Sequence, residues 1–193
     1  KVDAVKEARR QEMIDDDDLR SRLQSDLDAM QSLVEEGLAY ARSLNTTAPF
    51  QPTDLNALLA VLQDEATDMG WSVSVSGTAT TPCMCQPDGL RRALWNLVQN
   101  GIKFGGRVSL QLNETASHHI ILVRDAGPGL PENELEKVFD PFYRSEQSRN
   151  RETGGTGLGL AITRNLLQQQ HGTVSLRNHP EGGLEACVML AKQ

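Results

Sequence analysis

The chain has 193 residues, 38% of them hydrophobic and 23% charged, which suits one ordinary globular domain with a smaller appendage and excludes a disordered chain. A formal net charge of −7 excludes the excess of Lys and Arg that a nucleic-acid surface needs to neutralise phosphate. No apolar run reaches the roughly 18 residues of a bilayer span, and the N-terminus has no signal-peptide core, so this portion is expected to be soluble.

In chain order, Leu19, Leu23, Leu27, Met30, Val34, Leu38 and Ala41 recur at steps of three and four among charged and polar residues. That spacing predicts a strongly amphipathic helix over 19–43, with an apolar stripe that needs a partner. Val2, Val5 and Met13 carry a weaker helical pattern upstream. The run Asp15 to Asp18 reads as the turn between the two, its carboxylates suiting the start of the next helix, so a helical hairpin is expected. Four consecutive aspartates diverge around a turn, and a solvated turn is the better reading of them than a metal site. The stretch NTTAPFQPTD, residues 45–54, holds two prolines and several turn formers and reads as a linker.

Beyond it, 54–69 predicts a helix stopped by Gly70, WSVSVSG an alternating strand, and Cys83 and Cys85 a second strand. Leu90, Leu94, Leu97, Val98 and Ile102 mark the buried face of a helix entered at Pro87-Asp88 and ended at Gly105-Gly106. RVSLQLN and HIILVRD form a hairpin turning at 114–118. Residues 157–170 form a helix closed by His171-Gly172, and TVSLRN and LEACVML a last hairpin around HPEGG. Hairpins require antiparallel neighbours, so the C-terminal unit is expected to be a mixed sheet with helices over one face, an α/β two-layer sandwich. The three cysteines, Cys83, Cys85 and Cys187, are an odd number without metal-ligand spacing and read as reduced, mostly buried thiols of a cytosolic protein.

Four motifs carry chemistry. In LWNLVQNGIKFGG, Asn96 and Asn100 lie one helical turn apart on one face, with Lys103 and Phe104 on or near it. Two carboxamides on a helix exterior are common by accident; beside phosphates they are oxygen ligands for Mg²⁺, and Lys103 is a phosphate-pairing cation. At the end of HIILVRD, Asp125 can accept a hydrogen bond from the exocyclic amine of adenine, while Gly127 and Gly129 let the ring approach main chain. A plain turn after a strand uses the same residue types. GGTGLGLAI, residues 154–162, puts Gly154, Gly155, Gly157 and Gly159 ahead of a helix, where bare N–H groups receive polyphosphate. This stretch matches neither a P-loop nor a dinucleotide fingerprint. Between the glycine motifs, Phe139, Phe142 and Tyr143 precede Arg144, Arg149 and Arg151. These read as a cationic flap over the phosphates, against the plainer reading of loop-anchoring aromatics and solvated arginines.

Taken in order, Asn96-x-x-x-Asn100 with Lys103-Phe104, Asp125-x-Gly127-x-Gly129, Phe139-x-x-Phe142 and Gly155-x-Gly157-x-Gly159 resemble the N, G1, F and G2 boxes of sensor histidine kinases. LVEEGLAYARS resembles the second helix of that family's dimerisation hairpin. The resemblance implies an α+β chain: a partial dimerisation and histidine-phosphotransfer hairpin over 1–44, a linker over 45–52 and a Bergerat-type catalytic ATP-binding domain over 53–193. It implies ATP and Mg²⁺ as cofactors. Asp125 would read adenine beside Gly127 and Gly129, Asn100 would meet the metal, and Asn96, Lys103 and Arg144 would lie near the phosphates. Phe104, Phe142 and the run Gly155, Thr156, Gly157, Leu158 and Gly159 would complete the nucleotide-binding set.

In that family the γ-phosphoryl passes to a histidine on the hairpin's first helix and then to an aspartate of a response regulator receiver domain. The resemblance therefore implies a homodimer through the N-terminal helices, a response regulator partner and no nucleic acid. It also implies the cytoplasmic portion of a bacterial inner-membrane protein, attached only through an upstream segment. Residues 1–50 contain no histidine, and truncation ahead of Lys1 is the favoured explanation over degeneration. His118, His119, His171 and His179 fall at turns or a helix end and are expected to be structural or solvated. Gly101 and Phe104 stand where the family more often has alanine and tyrosine. Two alternatives stay open: a Bergerat-fold ATPase switch of the gyrase and heat-shock kind, and a non-catalytic dimeric module that binds a regulator without phosphorylating it.

Overall fold

The computed structural model describes residues 2–44, 48–145 and 155–192, with side chains from Leu19 onward. Its first element is one helix, α1 (Val2–Ser43), in place of the hairpin expected over 1–44. Asp15 to Asp18 lie inside that helix and not at a turn. Aspartate sits at most about 0.7 kcal/mol per residue below alanine as a helix former, and no glycine or proline interrupts the chain between Val2 and Glu36. The side chains of Val2, Val5, Met13 and the four aspartates lie outside the described residues. The predicted stripe is present and uncovered: Leu19, Leu23, Leu27, Met30, Val34 and Leu38 are each more than half exposed. The other side of α1, at Ala39 and Ser43, is buried.

The segment that composition marks as linker contains a short strand, β1 (Gln51–Thr53), which pairs antiparallel with β3 (Cys83–Cys85). Helix α2 (Leu55–Asp68) lies between them, and its start is fixed by Asp54, whose carboxylate accepts from the N–H groups of Asn56 at 2.8 Å and Ala57 at 3.4 Å. Strand β2 (Ser72–Gly77), helix α3 (Pro87–Gly105), strands β4 (Arg107–Glu114) and β5 (His118–Asp125), helix α4 (Gly159–Gln168) and strands β6 (Gly172–Asn178) and β7 (Leu184–Ala191) complete the fold. The main sheet has the order β2-β4-β5-β7-β6. Only β2 and β4 pair parallel; the other neighbours are antiparallel, as the two hairpins require.

Alternation along the strands decides which face the helices cover. Leu110 pairs with Val123 and Leu112 with Ile121, and Ile121 and Val123 in turn pair with Val188 and Ala186. All six are buried, in one cluster with Leu55, Leu59 and Leu62 of α2, Leu90, Leu94, Leu97 and Val98 of α3, and Ile162 and Leu166 of α4. On the opposite face Ser72, Ser74, Ser76, Ser109 and Gln111 are exposed. The expected two-layer α/β sandwich is therefore the observed architecture. Cys83 and Cys85 are buried and Cys187 half-buried, all three as free thiols.

Because side chains alternate with period two, the inward row of β5 is His119, Ile121, Val123, Asp125. A titratable residue thus stands at each end of an apolar row. At the far end His119 is fully buried, and neither ring nitrogen meets a hydrogen-bond partner of good geometry among the described residues. Beside it, Glu114 accepts from Lys192 Nζ at 2.5 Å, from the Thr80 N–H at 2.6 Å and hydroxyl at 2.8 Å, and from the Thr81 hydroxyl. Those donors, Lys192 foremost, hold the Glu114 carboxyl well below the usual carboxylate range.

Burial, and then the positive charge of Lys192, push His119 below its ordinary value of 6.5, while Glu114 and, less, the Pro82 main chain oppose them. The unfolded chain therefore binds the His119 proton more readily than the folded one. Its contribution to stability is complete above 6.5 and is lost as the pH falls towards the lowered folded value. Chemical denaturation followed from pH 7.5 to 5 is expected to show stability falling with pH, and His119→Leu, which cannot take a proton, is expected to flatten that slope.

Candidate functional site

The inward end of β5 places Asp125 against the C-terminal half of α3. Its Oδ1 accepts two main-chain hydrogen bonds, from Gly127 N at 2.7 Å and Leu184 N at 3.0 Å. Among the described residues no protein donor bonds Oδ2. The carboxylate is thus fixed in orientation by β7 and by its own loop, and Asp125 lines a cavity of about 1040 Å³. The close approach depends on Gly105: a Cβ there would fall 2.6 Å from Ala126 N and 2.7 Å from Gly127 N, so no side chain fits where α3 ends on the 125–127 backbone.

The following loop is held from across the sheet by Asn178 at the end of β6. Its Nδ2 donates to Leu130 O at 2.7 Å, and its Oδ1 accepts from Leu130 N at 2.9 Å. Asn178 is a positioning residue that the motif reading missed, because it stands just before the HPEGG turn and looks like turn chemistry.

A second face of α3 carries Asn96, Asn100 and Lys103 towards the glycine run. Asn96 Nδ2 donates to Gly159 O at 3.2 Å. A Cβ on Gly159 would be 3.8 Å from Asn100 Nδ2, and one on Gly155 would be 2.7 Å from Lys103 Nζ. The hydroxyl of Thr163, one turn into α4, also donates to Gly159 O at 3.0 Å. The first turn of α4 has no side-chain cap, so its N–H groups remain available at this end of the cavity.

Gly157 has φ +77°, and a Cβ there would lie 2.7 Å from Tyr143 O, so the run folds directly onto the aromatic segment. The link is closed by Phe142 N donating to Gly157 O at 3.1 Å. Phe139 is buried under the guanidinium of Arg164, whose centre lies 3.9 Å from the ring centroid. That is the loop-anchoring role.

Asn96, Asn100, Lys103, Phe104, Asp125, Gly127, Gly129, Arg144, Gly155, Thr156, Gly157 and Gly159 all line the one cavity. Phe142 and Leu158 do not. Phe142, at φ +65°, turns its ring outward and is 61% exposed. Leu158 is fully buried in the core, beneath the loop that its neighbours line. Each contributes through packing or backbone, because the tight turn at Gly157, folded against the main chain of Phe142 and Tyr143, carries these two side chains away from the cavity. Arg149, Arg151 and Gly154 lie outside the described residues.

The wall opposite α3 includes α1, through Ala29, Ser32, Leu33, Glu36 and Ala39. The cations of the lining are Arg92, Lys103 and Arg144, and its acids are Glu36 and Asp125. Lys103 also lies 5.3 Å from the centroid of the Phe104 ring. Partial desolvation, then Arg144, lowers the Lys103 pKa, while Glu36 raises it. The site therefore has an acceptor end at Asp125 and a cationic end at the glycine run.

The profile of the histidine kinase-, DNA gyrase B- and HSP90-like ATPase family matches residues 85–193, more than half of the chain. Sensor histidine kinase GtrS of Pseudomonas aeruginosa is 34% identical over 183 residues, which cover 95% of this chain and 38% of GtrS. The solved ATP binding domain of PrrB from Mycobacterium tuberculosis is 30% identical with a TM-score of 0.59, over 75% of this chain and 98% of that domain. Full-length ShkA, solved in complex with AMPPNP, shares the fold with a TM-score of 0.74 and 23% identity, over 90% of this chain and 38% of ShkA. The chain thus spans well under half the length of GtrS. With the family's residues gathered on one cavity and its profile running to the last residue, the chain belongs to the histidine kinase-, DNA gyrase B- and HSP90-like ATPases, in the form that sensor histidine kinases carry.

Proposed function

We propose that this chain is the ATP-binding catalytic portion of a two-component sensor histidine kinase and that its cavity holds ATP with adenine at Asp125 and the phosphates at the glycine run. The observation that carries the reading is the asymmetric pinning of Asp125. Two N–H donors fix Oδ1, which orients Oδ2 as an acceptor for the one neutral amine that adenine presents. Bare main chain at Gly127 and Gly129 admits the ring. Lys103, Arg144 and the uncapped start of α4 suit an anion at the other end.

The residues present also fit Mg²⁺. Among the described residues no cluster of three or more His, Cys, Asp or Glu could hold a metal, so a protein cage is not what this site offers. Asn100 offers one carboxamide oxygen on the cavity wall, which matches an ion that takes most of its ligands from phosphate and water. When bound, Mg²⁺ would neutralise phosphate charge. Lys103 and Arg144 would hold the terminal phosphate, and the glycine N–H groups would keep it aligned while its bond to the β-phosphate oxygen breaks and one to an imidazole nitrogen forms.

None of His118, His119, His171 and His179 lines the cavity, so the acceptor histidine in this reading comes from outside the 193 residues. From it the phosphoryl group would pass to a response regulator aspartate. The stripe from Leu19 to Leu38 is the proposed homodimer seam, since apolar side chains repeated at heptad-like spacing and left exposed favour a second helix.

In Asp125→Asn the amide oxygen would stay with the two N–H donors, leaving its NH₂ facing the adenine amine. Calorimetry with AMPPNP and Mg²⁺ is expected to show affinity reduced by roughly tenfold or more; unchanged affinity rules out the adenine contact. With labelled ATP and a separately supplied histidine-bearing helical hairpin of a sensor kinase, label is expected on the hairpin. Steady hydrolysis without a phosphoprotein would favour the ATPase-switch reading. In sedimentation the chain is expected to run as a dimer, and Leu27→Glu with Val34→Glu as a monomer.

A further inference from the structure

The cavity has one wall that nucleotide chemistry alone does not explain. Helix α1 is fastened to α4 at its C-terminal end, where Asn165 Nδ2 donates to Ser43 Oγ at 3.2 Å and Gln169 Nε2 to Ser43 O at 2.5 Å. Ser43 is 1% exposed there and Ala39 7%. Two helical turns back, on the same face, Glu36 reaches the glycine run, and its Oε2 accepts from the Thr156 hydroxyl. The same carboxylate is close enough to Lys103 to raise that lysine's pKa against the desolvation and the Arg144 charge that lower it. A carboxylate of α1 therefore occupies the cationic end of the cavity, on the hydroxyl and beside the ammonium that a polyphosphate would use.

We propose that Glu36 is an anionic latch that holds α1 on the glycine run and sets the nucleotide preference of the site, yielding to a terminal phosphate and tolerating a diphosphate. This rests on the ATP-site reading. Two anions on one ammonium and one hydroxyl in a partly desolvated site repel each other strongly. The group that meets Glu36 is the phosphate farthest from Asp125. A triphosphate must expel the carboxylate and free the upstream part of α1, whereas a diphosphate stops short of it. In this chain the latch lowers triphosphate affinity by the free energy of the docked helix contact, and its release couples the γ-phosphate to the position of α1.

The test is calorimetry on the whole chain with AMPPNP and with ADP, each with Mg²⁺, comparing the wild type with Glu36→Gln and Glu35→Gln. Glu35 is the adjacent carboxylate on the exposed face, bonded to Gln31 Nε2 at 2.9 Å, so its substitution changes the net charge equally without touching the cavity. Glu36→Gln is expected to tighten AMPPNP by about fivefold or more while shifting ADP less than about twofold, with Glu35→Gln leaving both unchanged. An unaltered AMPPNP-to-ADP ratio in Glu36→Gln, or equal shifts in the two variants, overturns the latch. Failure of the wild type to bind either nucleotide overturns the ATP-site reading, and the latch with it; binding with an unaltered ratio removes the latch alone.

Discussion

The site depends on one interaction, the pair of main-chain hydrogen bonds from Gly127 and Leu184 to a single oxygen of Asp125. An aspartate at a strand end ordinarily rotates towards water. Here two donors on opposite sides, one from its own loop and one from β7, remove that freedom before any ligand arrives. The second oxygen is held as an acceptor by the sheet itself. A hydrogen bond that needs no reorganisation is worth more than one formed by a mobile side chain, and the geometry is only as good as the β5–β7 register that puts Leu184 beside it.

The rest of the cavity follows from where α3 can lie relative to that carboxylate. Gly105 allows the helix to end in contact with the 125–127 backbone, which fixes its rotation. The same rotation then carries Asn96, Asn100 and Lys103 to the glycine run on a neighbouring face. The Asp125 end and the glycine-run end of the cavity are thus met by two faces of one helix, bridged by the buried leucines that hold it on the sheet. Thr163 and Asn96 converge on the Gly159 carbonyl and tie α4 to α3. The Gly159 end of the glycine run is thereby fastened to the core.

Helix α1 stands in a different relation to this unit. It has two chemically distinct sides, an apolar one in solvent and one that closes the cavity through Ala39 and Glu36. One side is committed to α4 within the chain, and the other leaves its apolar stripe uncovered. Nothing in its local sequence separates the two roles: Glu36 reads as one more charge in an amphipathic pattern, and the distinction arises only where Thr156 is brought to it.

Most of the fold was legible in the chain because its signals are local. Asp54 and Pro87 start helices, Gly70 and Gly106 stop them, and strict alternation in RVSLQLN and HIILVRD makes a hairpin whose inner face is fixed by parity. Of the nucleotide-set residues named from the four motifs, all but Phe142 and Leu158 line the cavity, while α1 and the inner faces of β5, β6 and β7 supply lining residues that no motif marked. What sequence spacing did not decide was direction and long-range contact. It could not tell that Phe142 and Leu158 turn away from the cavity, because a positive φ and a core position depend on what the loop packs against. It could not tell that Asp15 to Asp18 continue a helix, because a weak helix former yields to the register on either side of it. Nor could it find Asn178 and Glu36, whose partners Leu130 and Thr156 are 48 and 120 residues away. Periodicity and caps report the chain's neighbours within a turn or two; only closure of the sheet and the docking of α1 bring residues that distant within hydrogen-bond reach.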